Sequence, residues 1–299
     1  MELSAKNIEL VNLGYIKAQQ FAKSHYENFP VVSILVKKEL RKHIAIVYWF
    51  ARTADDFADE GNVPADIKLE NLNAFEEKLN DILKGKLSDE FDWALYNTIN
   101  EKKLSIINFY NLLKAFKQDT IKNRYKNFDE ILDYCSNSAN PVGRIILEIY
   151  GIRNDEAFRY SDSICTALQL TNFYQDVSID IDMNRLYIPI DELEAFNIKD
   201  NIASIKENED KFKEIIKSNV ERAKYYFYSG KPLLNYLTGM LKYEIKWTIY
   251  GGMEVLKKIE GNDYNVLYER TTLSKKNFVF LLIKSFFKNE SVKRNSKEK

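Results

Sequence analysis

Glycine and proline are scarce, ten and five in 299 residues. So little turn punctuation argues against many short strands and for long helices. Cysteine is scarcer still. Cys135 and Cys165 cannot build a disulfide framework; both read as inert buried thiols, as a reducing cytoplasm favours. Only two histidines occur, His25 and His43, and no Cys/His cluster, which disfavours zinc. No G-x-G triplet occurs, so the dinucleotide fingerprint is missing. No apolar run approaches the ~18 residues that span a bilayer. The opening, MELSAKNIEL, has no basic region followed by an apolar run, so no secretory signal is expected. Lysine plus arginine (44) balances aspartate plus glutamate (44), which removes any global pull toward nucleic acid or anionic membrane.

The acidic residues that are present are unevenly placed. YWFARTADDFADEG, Tyr48 to Gly61, follows an apolar run with Asp55, Asp56, Asp59 and Glu60. On a helix Asp55 and Asp59 share a face with Arg52. Asp56 and Glu60 stack beside them, as surface or supporting groups or as metal contacts. Like charges at this spacing destabilise a helix by roughly 0.2–0.5 kcal/mol per pair. The pattern therefore needs a compensating cation, either Arg52 or a metal. ALQLTNFYQDVSID, Ala167 to Asp180, repeats the arrangement: Gln169, Asn172, Asp176 and Asp180 form one polar stripe on an otherwise apolar helix. Buried carboxylates are expensive unless paired or metal-bound. Taken singly, each stripe reads as a solvated helix face; the two together favour a site. An oxygen-only donor set suits magnesium, which keeps positions for water and substrate phosphates. A departing diphosphate leaves an allylic cation, and a chain that is 13% aromatic can face it with rings.

Helical spacing recurs over about 8–23, 38–60, 66–84, 103–118, 127–150, 156–182, 208–229, 232–259 and 274–288. NRLYIPIDEL reads as an extended loop after the second acidic helix. The expectation is an all-α, single-domain bundle over 1–299 around a central cavity, with a basic, frayed tail at about 289–299.

The pair RTADDFADE and NFYQDVSID, followed by NRLYIPIDEL, resembles the squalene and phytoene synthase family of head-to-head prenyl synthases, from about Gln20 to Tyr250. The resemblance implies an isoprenoid-synthase-type fold, a prenyl diphosphate substrate and Mg2+. It implies metal and diphosphate binding by Asp55, Asp59, Asn172, Asp176 and Asp180. Arg52, Gln169 and Arg185 match positions lining the diphosphate site. Tyr187 also matches a position lining that site and Tyr48 a family tyrosine before the first motif; the resemblance makes both candidates for catalysis, with packing as the other reading. His25 sits where the family begins a diphosphate-contacting segment; here that segment reads HYENFPVVS, a departure from the usual serines.

SHYENFPVVSILVKKELRKHI, YCSNSANPVGR and SDSICTALQLTNFYQDV look most like the hydroxysqualene synthases of bacterial hopanoid pathways. That subgroup expels diphosphate from presqualene diphosphate and traps the rearranged cation with water. The alternatives are presqualene diphosphate, dehydrosqualene or phytoene synthesis, or a non-catalytic helical protein binding a cation or basic partner. Ser136 to Asn140 is polar where many relatives carry a tyrosine and small apolar residues. Amides can position water, so Asn137 and Asn140 are candidates to orient it. The segment from Lys275 to Lys299 carries eight basic and two acidic residues around an apolar stretch. A last core helix with a basic end is the plainer reading. Peripheral contact with the inner membrane face is the sharper one.

Overall fold

The computed structural model describes residues 4–24, 36–59, 61, 63–274, 277, 281, 282 and 285. Among them there are twelve α-helices, one 3-10 turn and no strand. The helices are α1 (Ala5–Ser24), α2 (Lys38–Asp59), α3 (Ala65–Leu83), α4 (Glu90–Lys102), α5 (Ile106–Asp119), α6 (Phe128–Ile149), α7 (Asp155–Gln175), α8 (Val177–Asp182), α9 (Ile190–Ala195), α10 (Ile202–Glu207), α11 (Glu209–Gly230) and α12 (Gly239–Gly261). His25, Glu60 and most of 275–299 lie outside the described residues. No helix of the described chain is long and apolar enough to cross a membrane.

Caps set several boundaries. Asp89, Asn127 and Asn154 each accept a hydrogen bond from the backbone three residues on, opening α4, α6 and α7. The Asp89 cap starts a helix that periodicity did not assign. That helix ends at Lys103, whose left-handed φ of 50° closes it where α5 was expected to begin. The helix expected over 156–182 breaks at Asp176, and the one over 232–259 becomes a 3-10 turn (Lys231–Asn235) followed by α12. NRLYIPIDEL is extended only in part, since α9 begins inside it.

Two apolar clusters share α6. One joins α1 to α5, with Phe50 between Phe75 (5.0 Å) and Phe109 (5.2 Å). The other joins α6, α7, α11 and α12. Ile145 and Ile149 belong to the first and Leu147 to the second, while Ile146 and Tyr150 pack on both. Buried apolar side chains of this size stabilise by about 1.5–3 kcal/mol each, so α6 is held from both sides. At Gly143 a Cβ would lie 2.5 Å from both Cys165 Sγ and Ser161 Oγ. Glycine therefore permits the close α6–α7 approach. In the C-terminal segment Leu281 and Ser285 are buried.

A cavity of about 380 Å³ lies between α2, α6, α7 and α12. Ile44, Val47, Tyr48 and Ala51 line it from α2, and Ser161, Ile164, Cys165 and Leu168 from α7. Both sets follow the same i, i+3, i+4, i+7 spacing, which puts four side chains on one helical stripe. One further turn along each stripe stand Asp55 and Asn172.

Candidate active site

Both acidic stretches therefore sit at the same end of one apolar cavity. On α2, Arg52 Nη1 donates to Asp55 Oδ2 at 3.1 Å, and Nε lies 2.8 Å from Asp56 Oδ1. Asp56 thus neutralises Arg52 at the rim. On α7 the stripe survives the break at Asp176, because Asp176 N donates to Asn172 O (2.9 Å) and Asp180 N to Asp176 O (2.8 Å). Asn172 is exposed, and Gln169, Asp176 and Asp180 are half-buried.

The loop after α8 folds back onto the loop after α5. Leu186 N donates to Asn123 O (3.1 Å) and Ile190 N to Tyr125 O (2.9 Å). This pairing delivers Arg185 and Tyr187 to the acids. Arg185 Nη2 lies 3.3 Å from Asp59 Oδ1 and joins the two stripes. Tyr187 stacks on Phe173, with centroids 3.8 Å apart and planes 7° from parallel, and lies 5.5 Å from the Tyr125 ring. Tyr134 adds a further ring at 6.0 Å. The site thus has an aromatic flank. Tyr48, half-buried, lines the cavity a turn before Arg52.

The electrostatics are those of crowded carboxylates. Burial, with the Asp59 charge, pushes the Asp55 carboxyl up to about 6. Burial and Asp176 push Asp180 up to about 7, with a contribution from Asp59 across the site. The two stripes therefore sense each other.

Three participants escaped the sequence reading. Asp119, at the end of α5, accepts from Tyr134 Oη at 2.9 Å, while its Oδ1 is buried without a hydrogen-bond partner among the described residues. Burial pushes it up to about 7, and Arg185, Asp59 and Asp55 act on it electrostatically. Arg270, beyond α12, grips both oxygens of Asp176, with Nη2 to Oδ2 at 3.2 Å. Asp119 is a lone acid in KQDT and Arg270 a lone base in YERTT, so neither belongs to a motif. Tyr134 opens YCSNSANPVGR and could have been found there.

Asn137 and Asn140 stand apart from these charges. Buried Asn137 donates its amide to the Asp133 carbonyl of its own helix at 2.7 Å. Asn140 Oδ1 accepts from Thr166 Oγ1 at 3.1 Å, between α6 and α7.

The donors fit magnesium in kind. They bind through oxygen, burial and neighbouring acids raise Asp55 and Asp180, and Asp119 offers an acceptor unsatisfied among the described residues. Among the described residues no three acids converge into a ready cage. Magnesium commonly takes one or two carboxylates and completes its shell with water and phosphate, so an open arrangement suits it.

Two opposed acidic helices closing an apolar cavity, in an all-α bundle, define the isoprenoid-synthase class of fold. The squalene/phytoene synthase family model matches residues 22–277. The chain belongs to that family. It is 34% identical to the squalene synthase HpnC of Alicyclobacillus acidocaldarius, whose crystal structure superposes with a TM-score of 0.80, covering 86% of this chain and 97% of that one. A hydroxysqualene synthase of Zymomonas mobilis is 40% identical over 172 residues, 56% of this chain and 57% of that protein. The chloroplastic phytoene synthase of Narcissus pseudonarcissus is 28% identical over 275 residues, 90% of this chain; the chain spans 64% of that protein's length.

Proposed function

We propose that the protein ionises presqualene diphosphate with magnesium, lets the cation rearrange, and captures it with water to give hydroxysqualene and diphosphate. The observation that carries this reading is the continuity of each cavity stripe into an acidic stripe, on α2 and α7 alike. An apolar chain and a diphosphate head would each find a matching wall. A surface patch holding a cation or basic partner has no use for the cavity.

Asp55, Asp59, Asn172, Asp176 and Asp180 would hold the metal, which neutralises the charge developing on the leaving diphosphate. Arg52, Arg185 and Arg270 would donate to phosphate oxygens, and Gln169 lies beside them on α7. Arginine suits that task through its fixed fork of donors. Phe173 and Tyr187 would face the cation, and Tyr48 would separate the head site from the tail cavity. Asn140, beside Thr166, is the better placed of the two candidates to orient water, since the Asn137 amide already bonds its own helix. We take the chain as one domain, because α6 serves both clusters.

The second reading is coupling of two allylic diphosphates to presqualene diphosphate, dehydrosqualene or phytoene. The long match to phytoene synthases supports it. The deciding experiment is product analysis by mass spectrometry, with presqualene diphosphate and magnesium and without NADPH. Hydroxysqualene is the expected product. Inertness toward that substrate, with condensation of a C15 allylic diphosphate, would move the function to the coupling step.

A further inference from the structure

Arg124 stands in the loop between α5 and α6, flanked by Asn123 and Tyr125, whose carbonyls hold Leu186 and Ile190. Both of those bonds lie on the C-terminal side of Arg185. On the N-terminal side Arg185 follows the turn that closes α8. Arg185 N donates to Asp180 O at 2.7 Å, Asn184 N donates to Ile181 O at 2.9 Å, and Asn184 takes a left-handed φ of 56°. The two bonds make a Schellman motif, with asparagine at the position glycine usually fills. The bond that spans the turn joins two groups of the site: its carbonyl belongs to Asp180, a metal candidate, and its amide to Arg185, a phosphate candidate. Met183 and Asn184 are exposed, so burial does little to hold the turn.

Arg124 holds it instead. Nη1 donates to Asn184 O at 2.7 Å and to Asn123 O at 2.9 Å, and Nη2 donates to Asn184 Oδ1 at 3.0 Å. Nε donates to Asp200 Oδ1 at 2.7 Å, which anchors the guanidinium just before α10. Each guanidinium nitrogen thus has a partner within the protein, which marks Arg124 as a clamp rather than a further phosphate donor. The ion pair with Asp200 alone would be worth little; the forked grip on Asn184 is what ties one loop to the other.

We propose that Arg124 is a positioning residue: by clamping the Asn184 turn to the loop after α5, it fixes the Arg185 guanidinium relative to the Asp180 carboxylate, so that diphosphate and metal meet one pre-arranged unit. This rests on the prenyl diphosphate reading of the site. Arg185 also reaches Asp59 on α2, so its displacement would disturb both acidic stripes. A misplacement of about 1 Å at a reacting centre can cost roughly a hundredfold in rate.

The test is a double-mutant cycle on kcat/KM, read as diphosphate release with magnesium from presqualene diphosphate and, in parallel, from a C15 allylic diphosphate. Wild type, Arg124→Lys, Arg185→Gln and the double variant are compared, each checked by its circular dichroism melt. Arg124→Lys keeps the charge and loses the fork, and should lower kcat/KM by about tenfold or more. In the Arg185→Gln background the same change should cost less than about twofold, because the group it positions is gone. A purely structural role would give equal losses in both backgrounds. Full activity in Arg124→Lys, or losses that multiply, overturns the assignment. Where Arg124→Lys does not fold, Asn184→Ala takes its place in the cycle with the same outcomes, since it removes one acceptor and opposes the left-handed turn. Release from neither substrate by wild type defeats the prenyl diphosphate reading itself, and the positioning role falls with it.

Discussion

His43 lies on α2, is fully buried, and is bonded to neither acidic stripe. Its Nδ1 is 2.9 Å from Thr98 Oγ1 and 3.4 Å from Tyr15 Oη, while Nε2 lies 3.2 Å from Glu101 Oε1. Burial holds its pKa down at about 4 against the ordinary 6.5; Glu101 opposes that shift, while Lys42 and Lys102 reinforce it. The folded state therefore resists protonation while the unfolded chain accepts it. Stability from this group is complete above pH 6.5. It falls as pH drops through the window between 6.5 and about 4, with a slope of at most ~1.4 kcal/mol per pH unit. The full loss is about 3 kcal/mol, from a shift of roughly 2.5 units at ~1.36 kcal/mol each. Asp55, Asp119 and Asp180 act in the opposite sense: their raised values favour the protonated fold, a stability present below the ordinary 3.8 and lost as pH rises from there through about 6 to 7. Urea unfolding of wild type and His43→Gln from pH 5 to 7.5 separates the two, because the carboxylates are common to both proteins. The variant should be less stable at pH 7.5 and should lose less on acidification. Parallel curves would refute the assignment.

Asp55→Asn and Asp180→Asn should each lower turnover by about a hundredfold or more while the circular dichroism melt holds; a variant retaining full turnover would remove that residue from the metal set. Magnesium should bind more tightly from pH 6 to 8, because Asp55 and Asp180 must lose protons near 6 and 7 before they can ligate. Calorimetry in two buffers of different ionisation enthalpy would read the released protons, and no buffer dependence would contradict it. Gly14→Ala should cost about 1–3 kcal/mol by crowding α1 against α4: the added Cβ would meet the Glu90 carbonyl oxygen at 2.0 Å and the Ala94 Cβ at 2.7 Å. An unchanged urea midpoint would show that the helices separate freely. Asn140→Leu should raise the alkene-to-alcohol ratio of the product, and an unaltered ratio would remove Asn140 from water positioning.

Fold and site were legible to different depths because the sequence records local spacing better than tertiary return. Asp55 with Asp59, and Asn172 with Asp176 and Asp180, are each one turn apart, so a helix alone sets their faces. The break at Asp176 left that stacking intact, since its amide and carbonyl keep the i to i+4 bonds. Arg185 and Tyr187 needed the resemblance, because only the cross-loop bonds Leu186–Asn123 and Ile190–Tyr125 bring them back. Asp119, at the other end of that pairing, has no local pattern at all. The missed helix α4 shows the same limit: its start is marked by one cap, Asp89, and its apolar residues do not keep a clear stripe.

The arginines give the site its remaining logic. Arg52, Arg185 and Arg270 each engage a carboxylate of the site: Arg52 with Asp55 and Asp56, Arg185 with Asp59, Arg270 with Asp176. Acids held this close would otherwise repel one another through a partly desolvated space. Paired this way, they stay in place while the cavity below stays apolar. A metal-bound diphosphate presents both signs at once, cation to the acids and phosphate oxygens to the arginines. It can therefore take over every one of these ion pairs without leaving a buried charge unmatched, whereas a metal alone would displace the arginines and a diphosphate alone the acids. Such exchange would make binding of metal and diphosphate mutually dependent, as the proposed ionisation of the substrate requires.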